Sequence, residues 1–395
     1  MKKRILFVDD EPMVLQGIQR SLRPMRQMWD MDFAEDGASA KEYLAQHDYA
    51  VVLTDMMMPG MDGAELLSFV KEHAPRTIRL VLSGHAEQQL AMKCVGIAHQ
   101  YLSKPCEVAM LRRTIDRVMN PSFAIRNEQV MTIIGRLEHL PSIPAMYSQI
   151  VRMLNDPHAS IADVGTLIGG DMAMTAKVLQ LVNSSFFGLS RLVSDPADAA
   201  TFLGLDTLKA LVLAANVFGQ LEAKMPRGFS AGCASRHSQK VGAAARAIAQ
   251  AEHAAQSVVD ESLVAGLLHD VGKLVLASNA TEEFQHIAAN PELRPLDAER
   301  AAFGATHAEV GGYLLGLWGL PSPVVEAISL HHAPGESLHL EFSALTATHV
   351  ADAIVSESRT SPVDMDYLTR LGLAERLPVW RAAVDELSPT AANCI

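Results

Sequence analysis

Five short apolar runs, Arg4–Val8, Met31–Ala34, Ala50–Thr54, Ile78–Leu82 and Gln100–Leu102, are interleaved with helical segments over the first 120 residues. That alternation admits few folds. Parallel strands need long crossover connections, and helices on both faces of a sheet supply them. Ala50–Leu53 and Ile78–Leu82 are nearly continuous hydrophobic runs, as strands covered on both faces are. The expected architecture is α/β, a doubly wound parallel five-stranded sheet. Such sheets place ligands beyond the C-terminal ends of their strands, and polar residues fall there. The first run leads into Asp9-Asp10, the third into Asp55, the fourth into Ser83 and the fifth into Lys104-Pro105. Three crowded carboxylates repel unless a cation or proton joins them. A hard ion such as Mg²⁺ meets that need. A carboxylate can also be the nucleophile that accepts a phosphoryl group. Lys104 and the ion would then neutralise the transferring oxygens while Ser83 donates a hydrogen bond.

The segments Val8-Asp9-Asp10-Glu11, Asp55-Met56-Met57-Met58-Pro59-Gly60-Met61-Asp62-Gly63, Ser83-Gly84 and Lys104-Pro105 closely resemble the receiver domain of two-component response regulators. The resemblance covers about residues 1–120. It implies that Asp55 is the phospho-acceptor and that Asp9, Asp10 and Asp55 bind Mg²⁺ with help from the Met57 carbonyl. Ser83 and Lys104 would contact the phosphoryl group, and Tyr101 would be the switch aromatic. It also implies a sensor histidine kinase or phosphotransfer protein as partner. A face running from about Glu87 to Val118 would transmit the signal and offers a route to a homodimer.

The remainder differs in charge and texture. Residues 1–120 carry 15 basic and 16 acidic side chains, the rest 18 and 29. A net charge of −12 over 395 residues argues against a general nucleic-acid surface, which needs a basic patch. No apolar run approaches the roughly 20 residues that span a bilayer, so no membrane association is expected. Cys94, Cys106, Cys233 and Cys394 have neither disulfide-framework density nor metal spacing, and the cytoplasm is the expected compartment. Asn120-Pro121-Ser122 should end a helix begun near Glu107, and 121–140 reads as a connecting helix into the second domain. From Leu140 only helical periodicity stands out. Helices are expected over Asp163–Gly169, Met172–Asn183, Leu205–Leu221, Ser235–Gln250, Glu261–Leu276, His307–Leu317, Pro323–His331 and Ser343–Val355. Residues 356–395 would add a C-terminal helical extension.

The order and spacing of Leu140-Pro141-Ser142-Ile143-Pro144, Asp171-Met172-Ala173-Met174-Thr175, Leu179-Gln180-Leu181-Val182-Asn183-Ser184 and Phe202-Leu203-Gly204-Leu205 resemble the HDOD output domain, an all-α relative of the HD phosphohydrolases. Asn183 reads as a helix cap before a turn. The resemblance implies a metal site from His237, His269, Asp270 and Asp352, joined in two-metal members by His307, His331 and His332. Lys273 matches a phosphate-contacting lysine, and Asp270 would bridge the ions. Imidazoles with carboxylates suit Fe, Mn, Zn, Co or Ni. Many HDOD domains have lost these ligands, whereas this chain keeps the set. The Gly-Tyr-Pro element of cyclic-di-GMP phosphodiesterases is missing: Ala333-Pro334-Gly335-Glu336 follows the histidine pair. His339 and His349 have no matching role and read as surface or local packing.

Two function classes remain. One is a phosphorylation-controlled signalling adaptor whose HDOD surface binds a downstream signalling protein. The other is a receiver-gated, metal-dependent phosphohydrolase or phosphodiesterase centred on His269-Asp270, with Asp270 and Lys273 as catalytic residues. Histidines kept as structural remnants, without catalysis or without metal, fit the adaptor.

Overall fold

The computed structural model describes residues 2–84, 96–119, 128–137, 140–142, 149–150, 152–154, 160–183, 192–213, 218–220, 229–288, 295–356 and 362–387. The first part is a doubly wound sheet. Strands β1 (Lys3–Val8), β2 (Trp29–Ala34), β3 (Val51–Asp55), β4 (Ile78–Gly84) and β5 (Gln100–Lys104) pair in parallel in the order β2-β1-β3-β4-β5. Helices α1 (Pro12–Ser21), α2 (Gly37–Gln46), α3 (Gly63–His73) and α4 (Val108–Met119) accompany them. The strand order reverses between β1 and β3, which leaves a crevice at their C-terminal ends. Every residue of β3 is buried, as its uninterrupted apolar run requires.

The turn after β3 is tightly built. Asp62 caps α3 by accepting from Glu65 N, and Glu65 reaches back to Asp62 N. A Cβ on Gly63 would lie 2.1 Å from the Asp55 carbonyl oxygen, so only glycine lets the helix start against the strand end.

Helix α5 (Glu128–Arg136) is the described part of the connecting segment. It lies on the receiver-like part. Arg79 Nη2 donates to the Gly135 carbonyl at 2.8 Å, and Arg76 pairs with Glu128. A Cβ on Gly135 would sit 1.7 Å from the Pro75 carbonyl oxygen, so the two backbones touch.

The second half is largely helical. Its described elements are β6 (Leu140–Ser142), α6 (Ile161–Ile168), α7 (Met172–Val182), α8 (Pro196–Leu213), β7 (Phe218–Gln220), α9 (Ala231–Ala251), α10 (Gln256–Leu268), α11 (Val271–Asn279), α12 (Thr281–Ala288), α13 (Pro295–Phe303), α14 (His307–Leu317), α15 (Ser322–Leu330), α16 (Ala344–Ser356), α17 (Met365–Arg370) and α18 (Leu377–Asp385).

Three expectations need correction. Strands β6 and β7 form a parallel ladder where only helix was expected; three-residue strands are too short to show alternation. The helix expected over Leu205–Leu221 starts there, after a break at Gly204 (φ 77°, ψ 160°) that separates it from a preceding helix begun at Pro196, but it does not reach Leu221, because Phe218–Gln220 is a strand. The helix expected over Glu261–Leu276 is divided in two at His269-Asp270. Ser160 caps α6, its hydroxyl accepting from Ala162 N and Asp163 N. Asn183 caps α7 and does more: its amide pairs with both Val193 N and Val193 O, at 2.7 and 2.8 Å. Ser184 lies outside the described residues, as does the 87–95 part of the expected transmitting face.

One buried apolar cluster runs from Ile5 to Leu345 and thus through both halves. A second joins α9 and α16 to the C-terminal extension around Trp380, whose indole donates to Glu252. The halves also meet through polar groups. Gln100 Nε2 of β5 donates to the Leu317 carbonyl at 2.8 Å, and Gln180 Nε2 donates to the His99 carbonyl at 3.0 Å. Part of the face expected to serve a homodimer is therefore covered by the chain's own second half. Among the described residues, no helix is long and apolar enough to cross a membrane.

Candidate functional site

The receiver pocket forms at the β1/β3 crevice. Asp9 and Asp55 are buried at the ends of their strands and Asp10 is half-buried beside them. One oxygen from each lies within 4.8 Å of the others, close enough to share one small cation. Lys104 Nζ spans the pocket at 2.8 Å from Asp9 Oδ2 and 2.7 Å from Asp55 Oδ1. Burial pushes the Asp55 carboxyl up, and Lys104 counters part of that rise. Burial opposes the Lys104 charge, but Asp55 and Asp9 outweigh it and raise the amine. Met57 N donates to Asp55 Oδ2 at 3.2 Å, which fixes the carboxylate and brings the Met57 backbone to the pocket. Ser83 is fully buried at the end of β4. Tyr101 is also buried, at 1% exposure, so it sits inward rather than on the half-exposed strand surface.

The second constellation collects all seven expected ligands. The helix break supplies the His269-Asp270 pair: α10 ends, Asp270 takes φ −97° and ψ 7°, and α11 starts anew. His237 comes from α9, His307 from the first position of α14, His331 and His332 from just beyond α15, and Asp352 from α16. They fall into overlapping groups: His237, His269 and Asp352; His269, Asp270 and His331; His307, His331 and His332. Within each group, one ligand atom per residue lies within 4.8 Å of the rest. Asp270 faces both sides. Its Oδ2 is 2.8 Å from Lys273 Nζ and 3.5 Å from His269 Nε2, and its Oδ1 is 3.3 Å from His307 Nε2. His237 Nε2 contacts Asp352 Oδ1 at 3.1 Å.

The imidazoles are oriented from behind. His269 Nδ1 and His331 Nδ1 each lie 2.8 Å from a backbone carbonyl, of Gly266 and Ile328. Each ring donates there and turns Nε2 inward as a lone pair. Those Nε2 atoms and Asp270 Oδ1 are buried without a hydrogen bond. Buried polar atoms are rarely left so, unless a ligand completes them. His332 Nε2 and His307 Nε2 lie 3.2 Å apart, a separation that a shared proton or cation reconciles. The donor set fits one or two transition-metal ions.

The electrostatics agree with a site poised for cations. Burial, then His332 and His269, hold His331 well below the ordinary imidazole range, and burial with His307 lowers His332 to about 3. Both are therefore neutral, the form that ligates. Burial opposes the Asp270 charge, but His269 and Lys273 outweigh it and keep Asp270 ionised.

Two contributors escaped sequence reasoning. Glu299 of α13 is buried and grips His307, accepting from its Nδ1 at 2.8 Å and its backbone N at 2.7 Å. Burial disfavours the His307 cation, but Glu299 outweighs it and raises that imidazole. The only sequence signal was an acid eight residues before a candidate ligand. His349, expected at the surface or in local packing, is buried; its Nδ1 faces the His331 carbonyl at 2.7 Å and its Nε2 accepts from Asp364 N at 2.8 Å. It ties the histidine pair to the C-terminal extension. His339 is exposed.

Comparisons with known proteins agree with this division. A family model for the response regulator receiver domain matches residues 5–116, and one for the HDOD domain matches residues 140–334. An uncharacterized protein of Treponema pallidum (strain Nichols) is 28% identical over 234 residues, covering 56% of this chain and 44% of its own length. The transcriptional regulatory protein YesN of Bacillus subtilis (strain 168), itself uncharacterized, is 31% identical over 124 residues, 29% of this chain and 32% of its own. The chain thus spans less than half of either relative. Among solved structures, the MmoQ response regulator of Methylococcus capsulatus str. Bath aligns at 24% identity and a TM-score of 0.49, covering 62% of this chain and 98% of its own. The chain is a response regulator receiver domain fused to an HDOD domain.

Proposed function

We propose that this chain is a two-component response regulator in which phosphorylation of Asp55 modulates the HDOD half, which acts in signal transduction by binding a downstream protein. The observation that carries the reading is the Asp9–Asp10–Asp55 pocket with Lys104 bridging two of its acids, on a receiver whose β5 is docked on the HDOD half. An Asp55 oxygen attacks phosphorus, and the bond to the donor's leaving group breaks. Lys104 neutralises the arriving oxygens, Ser83 can donate to one of them, and Asp9, Asp10 and Asp55 would hold a Mg²⁺ ion that would supply the remaining counter-charge. The donor is a sensor histidine kinase or phosphotransfer protein. Acetyl phosphate with Mg²⁺ should add one phosphoryl group to the wild type and none to Asp55→Asn, read by intact mass. Modification that persists in the variant would sink the reading.

A specific observation favours a second reading for the output: the buried, unsatisfied Nε2 atoms of His269 and His331 and Oδ1 of Asp270. In that reading the HDOD half is a metal-dependent phosphohydrolase. His237, His269, Asp270 and Asp352 would hold one ion, and His307, His331 and His332 would hold a second. Such ions supply Lewis acidity and an activated water. Lys273, paired to Asp270 and half-exposed, is positioned to take an anionic phosphoester oxygen. With Ala333-Pro334-Gly335 after the histidine pair, cyclic di-GMP is not the favoured substrate. Hydrolysis of a generic phosphodiester by the metal-loaded wild type, lost in Asp270→Ala, separates this reading from the adaptor.

A further inference from the structure

We propose that helix α14 transmits the state of the receiver to the His/Asp cluster. The proposal deepens the regulatory reading above and rests on Asp55 as the phospho-acceptor. One end of the helix belongs to the cluster, and the other rests on a strand that leads to the receiver pocket. At its N-terminus stands His307, clamped by Glu299 and facing Asp270. At its C-terminus the Leu317 carbonyl, one of the last acceptors that a helix leaves unsatisfied, is taken by Gln100 of β5. Gln100 is itself held by Arg117 Nη2 at 2.8 Å. Four residues along the same strand, Lys104 touches both pocket carboxylates. The 11-residue helix covers about 16 Å at 1.5 Å per residue, and the four-residue step along β5 from Gln100 to Lys104 adds about 13 Å at 3.3 Å per residue.

The receiver end is fixed in place. The helix closes on Gly319 at φ 85°, with Gly319 N bonded to Gly316 O and Leu320 N to Leu315 O. A Cβ on Gly319 would lie 3.0 Å from Arg117 Nη2, so the cap is seated directly on the receiver. Trp318 carries Lys177 Nζ over its ring at 3.9 Å. The cluster end has little slack. A Cβ on Gly272, two residues after Asp270, would sit 1.9 Å from the His307 carbonyl oxygen. A Cβ on Gly312 would sit 1.8 Å from Ser329 Oγ, two residues before His331. Backbone meets backbone or a short side chain at both places, so few flexible side chains can absorb a shift of the helix. Packed interiors carry such displacements rather than deforming continuously. Phosphorylation that re-sets β5 therefore moves α14 against the Asp270 turn and the His331-His332 corner together.

Hydrogen exchange of the full chain tests this, with beryllofluoride and Mg²⁺ as the phosphoryl mimic and fluorine NMR to report its occupancy at Asp55. The mimic should change exchange rates in 307–317, 271–277 and 325–332 by about fivefold or more, the lower range of allosteric couplings. Gln100→Ala, which still binds the mimic, should lose most of the effect in all three segments. Bound mimic with unchanged exchange in 307–317 overturns the proposal alone, as does a full response at the cluster in Gln100→Ala. A wild type that binds no mimic removes the phospho-acceptor reading and this proposal with it.

Discussion

The two acidic pockets of this chain solve one electrostatic problem at different scales. In the receiver, Asp9 and Asp55 stand at neighbouring strand ends, and one lysine bridges both carboxylates within 2.8 Å. In the HDOD half, Asp270 and Asp352 sit among five histidines drawn from residues 237–332, and Lys273 engages Asp270 alone. The receiver pocket holds its own counter-charge. Both pockets hold buried atoms without a hydrogen bond: Asp9 Oδ2 and Asp55 Oδ1, which face Lys104, and His269 Nε2, His331 Nε2 and Asp270 Oδ1 in the HDOD cluster, where the lysine meets Asp270 Oδ2 instead. The first arrangement suits a pocket that receives a transient phosphoryl group; the second suits resident ions.

The largest expected effect is in the first pocket. Asp55→Asn should abolish phosphoryl incorporation while leaving the metal content of the HDOD half unchanged, measured by intact mass and elemental analysis on the same preparation. Loss of metal in that variant would show that the pockets are not separable in this way.

Glu299→Gln sharpens the second side of the comparison. It keeps the size of the side chain but removes the charge behind His307. Outer partners of metal-bound imidazoles change affinity by about 10–100-fold when altered. Titration with Mn²⁺ should show a weakening of that order with the fold intact by circular dichroism. Wild-type affinity in the variant would make Glu299 a packing residue only.

The smallest effect lies between the pockets. Lys177 of α7 is buried beside the receiver, with Nζ bonded to Gln180 and over Trp318. Burial, then Lys71 and Arg79, press its amine from 10.5 down to about 7. Between those values the unfolded chain holds a proton that the folded chain has lost, so this group makes stability rise with pH; below about 7 both states are protonated and the contribution is flat. Lys177→Met should raise stability near neutral pH by about 1–3 kcal/mol and flatten the rise toward pH of about 9. Urea unfolding at the two pH values measures both, and an unchanged slope would place the titrating group elsewhere.

How much was legible follows the same contrast. The receiver could be read because its site residues sit at strand ends, where period and punctuation reveal them. The structure moves β2 and β5 by only a few residues from their expected bounds and keeps the strand-end acids together. The HDOD ligands were reachable only through resemblance, since nothing in their spacing brings His237 to Asp352, 115 residues away. The helix break at His269-Asp270 was hidden because Leu263–Leu276 is apolar on both sides of it. Glu299 looked like one more charge on an ordinary helix. Gln100, Lys177 and Gln180 gave no sign that their polar ends are buried between the halves, because periodicity describes the face of an element and not what covers it.

The claim on which the second reading of the HDOD half turns is that its cluster holds resident ions. Elemental analysis of purified, chelator-free wild type beside the His269→Ala/Asp270→Ala variant tests it most directly, with Mg²⁺ set aside for the receiver. The account predicts one or two Fe, Mn, Zn, Co or Ni ions per chain in the wild type and their loss in the folded variant. A well-folded wild type that is metal-free, and stays so after incubation with those ions, would contradict it.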